Sequence, residues 1–137
     1  MADLEAELRT IGPDELRWIH RRKTGALFSA SSEIGAIHAG VDGEHRAAFA
    51  EYGEALGLAF QIVDDILDRT GTSQTLGKTP GKDLRSGKST FPALFGVEES
   101  RRQAQAHVER ALDSLRPLGL LSEMLELLAG FAVARVR

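Results

Sequence analysis

The stretch Phe60-Gln61-Ile62-Val63-Asp64-Asp65-Ile66-Leu67-Asp68 indicates both the fold and the chemistry of this chain. Wound as a helix at ~100° per residue, it places four polar side chains within an arc of roughly 100°: Gln61, Asp64, Asp65 and Asp68. The other side of the same helix carries only aliphatic residues: Ile62, Val63, Ile66 and Leu67. Because that apolar side requires a partner, the pattern favours a largely buried helix over a solvated acidic one.

The three aspartates predict a metal site. Carboxylates crowded on one helix face repel one another, and these also lie near a helix C-terminus, where the helix dipole disfavours negative charge. A divalent cation relieves both costs. Mg²⁺ takes one or two carboxylates and fills its other positions with water and substrate phosphate, so the spacing suits it. We therefore predict Asp64, Asp65 and Asp68 as Mg²⁺ ligands, with a solvated acidic face as the alternative.

Positive charge follows this acidic segment directly. Residues 76–90, LGKTPGKDLRSGKST, form a glycine-rich loop that includes Lys78 and Lys88. Glycines let backbone N–H groups approach an anion closely, and lysines neutralise it. Lys23 falls within the apolar arc of the first predicted helix, where it must extend to solvent, pair with an acid or receive an anion. A solvated loop and a structural ion pair are the alternatives, but the three features together fit a diphosphate ester with an apolar tail.

Composition narrows the class of protein. The chain has 137 residues, 42% hydrophobic and 27% charged, which predicts one globular domain over residues 1–137. A net charge of -3 gives no basic field, so we expect no nucleic-acid partner. The absence of cysteine excludes thiolate chemistry and fits a cytoplasmic protein. No apolar run approaches the ~20 residues of a membrane span, so none is expected.

The sequence predicts an all-α protein, a helical bundle. Leu and Ala dominate the apolar residues while Val and Ile are sparse, a balance that favours helix over sheet. Apolar periodicity and the Gly and Pro positions predict four helices, at about 14–39, 44–69, 98–116 and 120–136. The last of these has too many large apolar residues for one buried stripe.

In this order the motifs resemble the C-terminal half of the trans-isoprenyl diphosphate synthases, the farnesyl and geranylgeranyl diphosphate synthase family. The resemblance extends from about residue 3 to the end of the chain. LRWIHRRKTGAL at residues 16–27 is similar to the family's Lys-Thr helix, and GLAFQIVDDILD at residues 57–68 to its second aspartate-rich motif. TLGK at residues 75–78 and LRSGKSTFPAL at residues 84–94 are similar to the loop and helix that follow. The implied fold is half of an isoprenoid synthase fold.

The resemblance implies a prenyltransferase of isoprenoid biosynthesis and a role for each candidate residue. The implied reaction is Mg²⁺-assisted ionisation of an allylic diphosphate, attack by the double bond of isopentenyl diphosphate, and loss of a proton. The implied residues, by role, are Asp64 and Asp65 with Asp68 for Mg²⁺, Lys23, Lys78 and Lys88 for the diphosphate, and Thr24, Gln61 and the Lys23 carbonyl beside the allylic carbocation. Allylic and isopentenyl diphosphates are the implied partners.

The chain departs from the family in one respect. The family has a first aspartate-rich motif in its N-terminal half, whereas Asp64-Asp65 is the only pair of adjacent aspartates here. We therefore expect a truncated product that is inactive alone, a split subunit or a remnant, and the start at Met1-Ala2-Asp3-Leu4 favours truncation. A homodimer or a complement to a missing N-terminal half is expected. The alternative functions are a non-catalytic partner or regulatory subunit of a prenyl synthase, and a terpene cyclase or squalene-type synthase.

Overall fold

The computed structural model describes residues 11–70 and 89–135, and every regular element in those two ranges is helical. The elements in chain order are α1 (Pro13–His20), a π-helical turn (Arg21–Gly25), α2 (Ala26–His38), α3 (Gly43–Thr70), α4 (Phe91–Phe95), α5 (Val97–Leu115), a 3₁₀ turn (Arg116–Leu118) and α6 (Glu123–Ala134). The predicted all-α fold is confirmed. None of the helices within the described ranges has the length and apolar character that crossing a membrane requires.

The first helical run extends from Pro13 to His38 and contains an irregularity. Gly12 precedes the run in an extended conformation, and Pro13 occupies the first turn, where its missing N–H needs no acceptor. The π-helical turn at Arg21–Gly25 separates α1 from α2, whereas the sequence pattern indicated uninterrupted α-helix. Because a π turn changes the hydrogen-bond spacing to i→i+5, it offsets the face that α2 presents from the face that α1 presents.

Helix α3 is the central element, since it packs against α2, α5, α6 and the π turn. Its buried side contains large residues with almost no exposed surface: Tyr52, Ile62, Val63 and Ile66. The facing side of α5 contributes residues spaced three or four apart, all of them buried: Ala104, Val108, Ala111 and Leu115. The apolar periodicity of both segments thus identified the sides that enter the core.

Two glycines of α3 allow the first helical run to lie backbone to backbone against it. A Cβ at Gly53 would come within 2.5 Å of the Phe28 carbonyl oxygen of α2. A Cβ at Gly57 would come within 2.9 Å of Gly25 Cα in the π turn. Contact at this distance fixes which side of α2 faces the core, and it brings the π turn next to the C-terminal half of α3.

Part of the apolar stripe of the first run is exposed, contrary to expectation. Leu16 and Ile19 of α1 are buried, but the residues that continue the stripe along α2 are exposed: Leu27, Ile34 and Ile37. The π turn and the glycine contacts account for the difference, because they turn the Phe28 and Ser29 side of α2 towards α3.

The last helix, α6, begins at Glu123 rather than at about residue 120. Ser122 caps it, since the Ser122 hydroxyl accepts a hydrogen bond from the Leu125 N–H. The Tyr52 hydroxyl of α3 donates to the Leu125 carbonyl at 2.8 Å, and burial raises the pKa of Tyr52 to about 12. Val133 is buried, but four large apolar residues of α6 are exposed: Met124, Leu127, Leu128 and Phe131. One stripe therefore cannot bury them all, as the sequence indicated.

Candidate functional site

The three predicted metal ligands lie near the C-terminal end of α3, but they face different surroundings. The Asp64 side chain is 38% exposed, and Asp68 is partly buried. Asp65 is only 6% exposed. Within residues 11–70 and 89–135, no group of three or more carboxylate or imidazole side chains is arranged to hold a metal. The structure thus places the three aspartates on neighbouring turns without gathering them into one ligand set.

The Asp65 carboxylate accepts hydrogen bonds from three parts of the fold. Its Oδ2 lies 3.2 Å from His20 Nε2 of α1 and accepts the Phe91 N–H of α4 at 3.1 Å. Its Oδ1 accepts from Gln61 Nε2 at 3.3 Å. The Asp65 side chain thereby connects α1, α3 and α4.

Two of the predicted catalytic residues are in direct contact. Thr24 Oγ1 of the π turn donates to Gln61 Oε1 of α3 at 2.9 Å. Because Gln61 also donates to Asp65, its amide has a fixed orientation, with oxygen towards Thr24 and nitrogen towards Asp65. The close approach of Gly57 to Gly25 places the π turn where this pairing can form.

A cation already contacts the first aspartate. Arg135 Nη1, at the end of α6, lies 3.0 Å from Asp64 Oδ1. The Arg135 guanidinium also lies over the Phe60 ring, 4.9 Å from its centroid, and Phe60 packs against Phe28 of α2. The C-terminal end of α6 and the N-terminal part of α2 therefore flank the same side of α3.

Two of the three aspartates have the chemistry that a magnesium ion requires. Asp64 and Asp68 are one helical turn apart on α3, and Mg²⁺ takes one or two protein carboxylates with the rest of its octahedron from water and phosphate. The Asp64 carboxylate is paired with the Arg135 guanidinium, so a metal at Asp64 would have to displace that cation. The donor set thus suits Mg²⁺ when only Asp64 and Asp68 are counted.

The predicted diphosphate-binding lysines fall in different parts of the chain. Lys23 lies in the π turn beside Thr24, and its side chain is exposed. Lys78 and Lys88 lie outside the described residues. The predicted role of each of the three stays a prediction.

An open groove of about 580 Å³ lies elsewhere, between the first helical run and α3. It is lined by Trp18, Arg21, Arg22, Gly25, Ala26, Ser29, Ala30, Glu33 and Glu54, and no candidate site residue within the described ranges is among them. Arg21 and Glu54 pair across it at 3.2 Å. The groove is therefore separate from the aspartates and from the Thr24–Gln61 pair.

Sequence reasoning gave no role to three groups that contact the candidate residues. They are His20, the Phe91 N–H and Arg135. His20 lies four residues before Thr24, as Gln61 lies four before Asp65, so helical spacing places each pair on one face. That spacing does not indicate the contact of His20 with Asp65, which lies 45 positions further along the chain. Nothing local in the sequence indicates the contacts of Phe91 or Arg135.

Comparison with known proteins agrees with this architecture. Residues 1–119 match the model of the polyprenyl synthetase family. The farnesyl diphosphate synthase of Escherichia coli (strain K12) is 44% identical over 137 residues, covering 97% of this chain and 46% of that protein. The crystal structure of a polyprenyl synthase from Caulobacter crescentus CB15, complexed with calcium and isoprenyl diphosphate, superposes with a TM-score of 0.90 at 30% identity, covering 99% of this chain and 54% of that one.

A second solved structure has the same fold. The geranyltransferase from Helicobacter pylori, complexed with magnesium and isoprenyl diphosphate, has a TM-score of 0.77 at 29% identity, covering 96% of this chain and 43% of that one.

The fold and the aspartate-bearing helix define an all-helical isoprenoid-type synthase domain. This chain belongs to the polyprenyl synthetase family. It spans less than half the length of the curated relatives that it matches, 46% in the case of the E. coli farnesyl diphosphate synthase and 34% in that of the Cyanophora paradoxa geranylgeranyl diphosphate synthase.

Proposed function

We propose that residues 1–137 carry one side of the active site of a prenyltransferase that condenses isopentenyl diphosphate with an allylic diphosphate. The observation that supports this most is the placement of Asp64 and Asp68 one turn apart on the helix that also carries Gln61, the hydrogen-bond partner of Thr24. The Helicobacter and Caulobacter proteins, with their divalent cations and isoprenyl diphosphate, support the substrate class. The named relatives give no support to a non-catalytic partner subunit.

Asp64 and Asp68 would hold Mg²⁺ in this proposal, and the exposed Lys23 would contact the diphosphate together with Lys78 and Lys88. Bound Mg²⁺ supplies positive charge that stabilises the leaving diphosphate. Lys23 adds a second positive charge from the π turn. The positive charges of the lysines and of Mg²⁺ at the acidic helix end would together hold the allylic diphosphate in a single orientation.

Thr24, Gln61 and the Lys23 carbonyl would line the space beside the allylic carbon. The carbon–oxygen bond breaks and its electron pair leaves with the diphosphate; the double bond of isopentenyl diphosphate then forms the new carbon–carbon bond, and a proton is lost. Because the Thr24 hydroxyl donates a hydrogen bond to Gln61, the lone pairs of the Thr24 oxygen are left to face the electron-poor carbon. Oriented oxygens in a dry pocket stabilise such a carbon without capturing it as water would.

Calorimetric titration with an allylic diphosphate analogue, with and without Mg²⁺, tests the site. We expect Mg²⁺ and the analogue to bind together better than either alone, with a coupling of about 1–3 kcal/mol. Asp64→Ala should abolish that coupling, and Lys23→Ala should weaken the analogue with or without metal. Equal binding of the analogue in the presence and absence of Mg²⁺, or wild-type behaviour of Asp64→Ala, would leave the aspartates as a charged helix face only.

Turnover tests the proposal that these residues form one side of the site only. Residues 1–137 contain a single pair of adjacent aspartates, so we expect no prenyl diphosphate from the chain with isopentenyl diphosphate, geranyl diphosphate and Mg²⁺. Activity should appear on mixing with a separately made N-terminal half of a related synthase. Clear turnover by the chain alone contradicts the proposal.

A further inference from the structure

Asp65, the middle aspartate of the three, points into the interior of the fold and is hydrogen-bonded there. Asp65 is 6% exposed, and its two oxygens accept from Gln61 and Phe91 and contact His20. To reach a metal, the carboxylate would have to turn outwards and leave the buried Phe91 N–H without its acceptor. Leaving the buried Phe91 N–H unpaired costs its full desolvation free energy, and this favours the inward orientation of the carboxylate.

The His20 ring is buried and faces Asp65. The His20 side chain is 5% exposed, and its ring stacks on Phe91 with 5.5 Å between centroids and 17° between planes. Among the described residues, His20 Nδ1 has no hydrogen-bond partner, whereas Nε2 lies 3.2 Å from Asp65 Oδ2. The Asp65 carboxylate can only accept a hydrogen bond, so Nε2 must carry the proton that it donates. Nδ1, which has no partner, then keeps its lone pair.

The connection continues from Asp65 to the residues proposed to line the reaction space. Asp65 Oδ1 accepts from Gln61 Nε2, which leaves Gln61 Oε1 to accept from Thr24. If Gln61 rotated by half a turn, its amide nitrogen would face the Thr24 hydroxyl and its oxygen would face a carboxylate oxygen. The repulsion between those oxygens forbids the rotated state, so Asp65 sets the direction of both Gln61 and Thr24.

We propose that His20 and Asp65 are positioning residues that orient Gln61 and Thr24, and that Asp65 is not a ligand of Mg²⁺. His20 holds Asp65 from α1, the Phe91 N–H holds it from α4, and Asp65 holds Gln61. Of the three aspartates, only Asp64 and Asp68 are then left to bind Mg²⁺. The assignment of Gln61 and Thr24 to the reaction space rests on the function proposed above, whereas the hydrogen-bonded chain itself does not.

Carbon-13 NMR of the wild-type chain with labelled aspartate distinguishes the aspartates that bind Mg²⁺ from Asp65, which we call the anchor because it holds Gln61. On addition of Mg²⁺ with inorganic pyrophosphate, we expect the carboxyl signals of Asp64 and Asp68 to shift and that of Asp65 to stay in place. A shift of the Asp65 signal comparable to that of Asp64 overturns the inference. If the signal of no aspartate shifts, the proposed metal site fails. The role of Asp65 as the anchor is then tested by the His20 ring NMR and the His20 substitutions described below.

Nitrogen-15 NMR of the His20 ring tests the anchor without any ligand. We expect a proton on Nε2 and none on Nδ1, together with slowed solvent exchange of the Gln61 side-chain amide. A proton on Nδ1 with a bare Nε2 overturns the anchor, as does a freely exchanging Gln61 amide.

Two substitutions of His20 separate hydrogen bonding from packing. His20→Gln keeps an N–H donor for Asp65, and His20→Phe keeps a ring on Phe91 but donates nothing. We expect the Gln61 amide to remain protected in His20→Gln and to lose about tenfold or more of its protection in His20→Phe. Equal protection in two folded variants would show that His20 acts only by packing. If His20→Phe does not fold, the ring measurement on the wild-type chain decides.

Asp65→Asn and Asp64→Asn form a matched pair for the metal itself. We expect Mg²⁺-dependent binding of pyrophosphate to weaken about tenfold or more in Asp64→Asn and to stay within about threefold of wild type in Asp65→Asn. Equal losses in two folded variants make Asp65 a ligand and refute the inference. If Asp65→Asn does not fold, the carboxyl signals of the wild-type chain decide between ligand and anchor.

Discussion

At the scale of single residues, the adjacent aspartates Asp64 and Asp65 have different surroundings although their side chains are identical. Asp64 faces outwards and pairs with Arg135, while Asp65 faces inwards and pairs with His20 and the Phe91 N–H. The difference comes from the ~100° that separates neighbours on a helix, which is enough to move a side chain from solvent to core. Chemical identity alone therefore does not assign a role to either residue.

Arg135 competes with a metal for Asp64, which gives a first prediction. The ion pair at 3.0 Å must open before Asp64 can take Mg²⁺. We expect Arg135→Gln to raise the affinity for Mg²⁺ with pyrophosphate by about two- to fivefold, as a partly exposed pair of up to about 1 kcal/mol predicts. Calorimetric titration measures it. Arg102→Gln, which removes the same charge from the exposed Arg102–Glu99 pair on α5, is the control. Unchanged or weaker binding in Arg135→Gln contradicts the competition.

His107 of α5 gives a second prediction, on pH. Burial, and then repulsion from Arg110, Arg21 and Arg17, lowers the pKa of His107 from 6.5 to about 4. Between these values the unfolded chain binds a proton that the folded chain does not, so stability falls as pH drops from 6.5 towards about 4. Urea unfolding across this range should show a shallower decline for His107→Gln than for wild type.

The matched control for His107 is His38→Gln, which removes an exposed imidazole at the end of α2. Its unfolding should follow the wild-type dependence on pH. Identical slopes for the two variants would show that burial of His107 contributes nothing to the acid sensitivity.

At the scale of elements, α3 organises the molecule because other elements contact it on several sides. Its glycines receive α2 and the π turn, its apolar side receives α5, and its Tyr52 hydroxyl binds α6. The candidate site forms where the π turn and the end of α6 meet the same side of α3. The packing of helices and the placement of the site are therefore consequences of one set of contacts.

Gly53 provides the third prediction. A Cβ there would meet backbone atoms of Phe28 and Ser29 at 2.5 to 2.7 Å, and backbone cannot move aside as a flexible side chain can. We expect Gly53→Ala to lower the free energy of unfolding by about 1–3 kcal/mol, the usual cost of overpacking. Urea denaturation followed by circular dichroism measures the change.

Gly35 of α2 is the matched control for Gly53. Nothing lies within 4 Å of a Cβ built at Gly35, and the residue is helical and exposed. Gly35→Ala should therefore raise the free energy of unfolding by up to about 1 kcal/mol. A Gly53→Ala variant as stable as wild type would show that α2 can move away from α3 at little cost.

At the scale of the whole molecule, the described part of the chain exposes many large apolar side chains. Those on α2 are Leu27, Ile34 and Ile37, and those on α6 are Met124, Leu127, Leu128 and Phe131. Phe28, Phe60 and Arg135 connect the two helices across one side of α3. Apolar surface on this scale favours association.

We therefore predict that the isolated chain self-associates. Light scattering should give a mass above that of a monomer, rising with concentration. Ile34→Lys or Leu127→Lys should lower the mass, because each places a charge within an exposed apolar face; Gln105→Lys adds the same charge on an exposed polar position of α5 and serves as control. A single monomer peak with a cooperative melt would contradict the prediction.

The sequence by itself determined which segments are helical in character and which sides of them are apolar. The stripe of α5 and the aliphatic side of the aspartate-bearing segment are local patterns, because burial repeats with the helical period. The order of the Lys-Thr, aspartate-rich and glycine-loop segments was equally a property of the chain alone, and it identified the family. Each stripe and each single motif lies within a few consecutive turns or one loop.

Only the tertiary structure decided what each site residue contacts. His20 and Asp65 are 45 positions apart and Asp65 and Phe91 are 26 apart, so no local pattern could indicate their hydrogen bonds. Arg135 reaches Asp64 from another helix in the same way. The contact of the π turn with Gly57 and the contact of α2 with Gly53 set the rotation of the first helical run. Rotation and long-range pairing depend on the whole packed set of helices, and for that reason periodicity grouped the three aspartates on one face while packing turned Asp65 inwards.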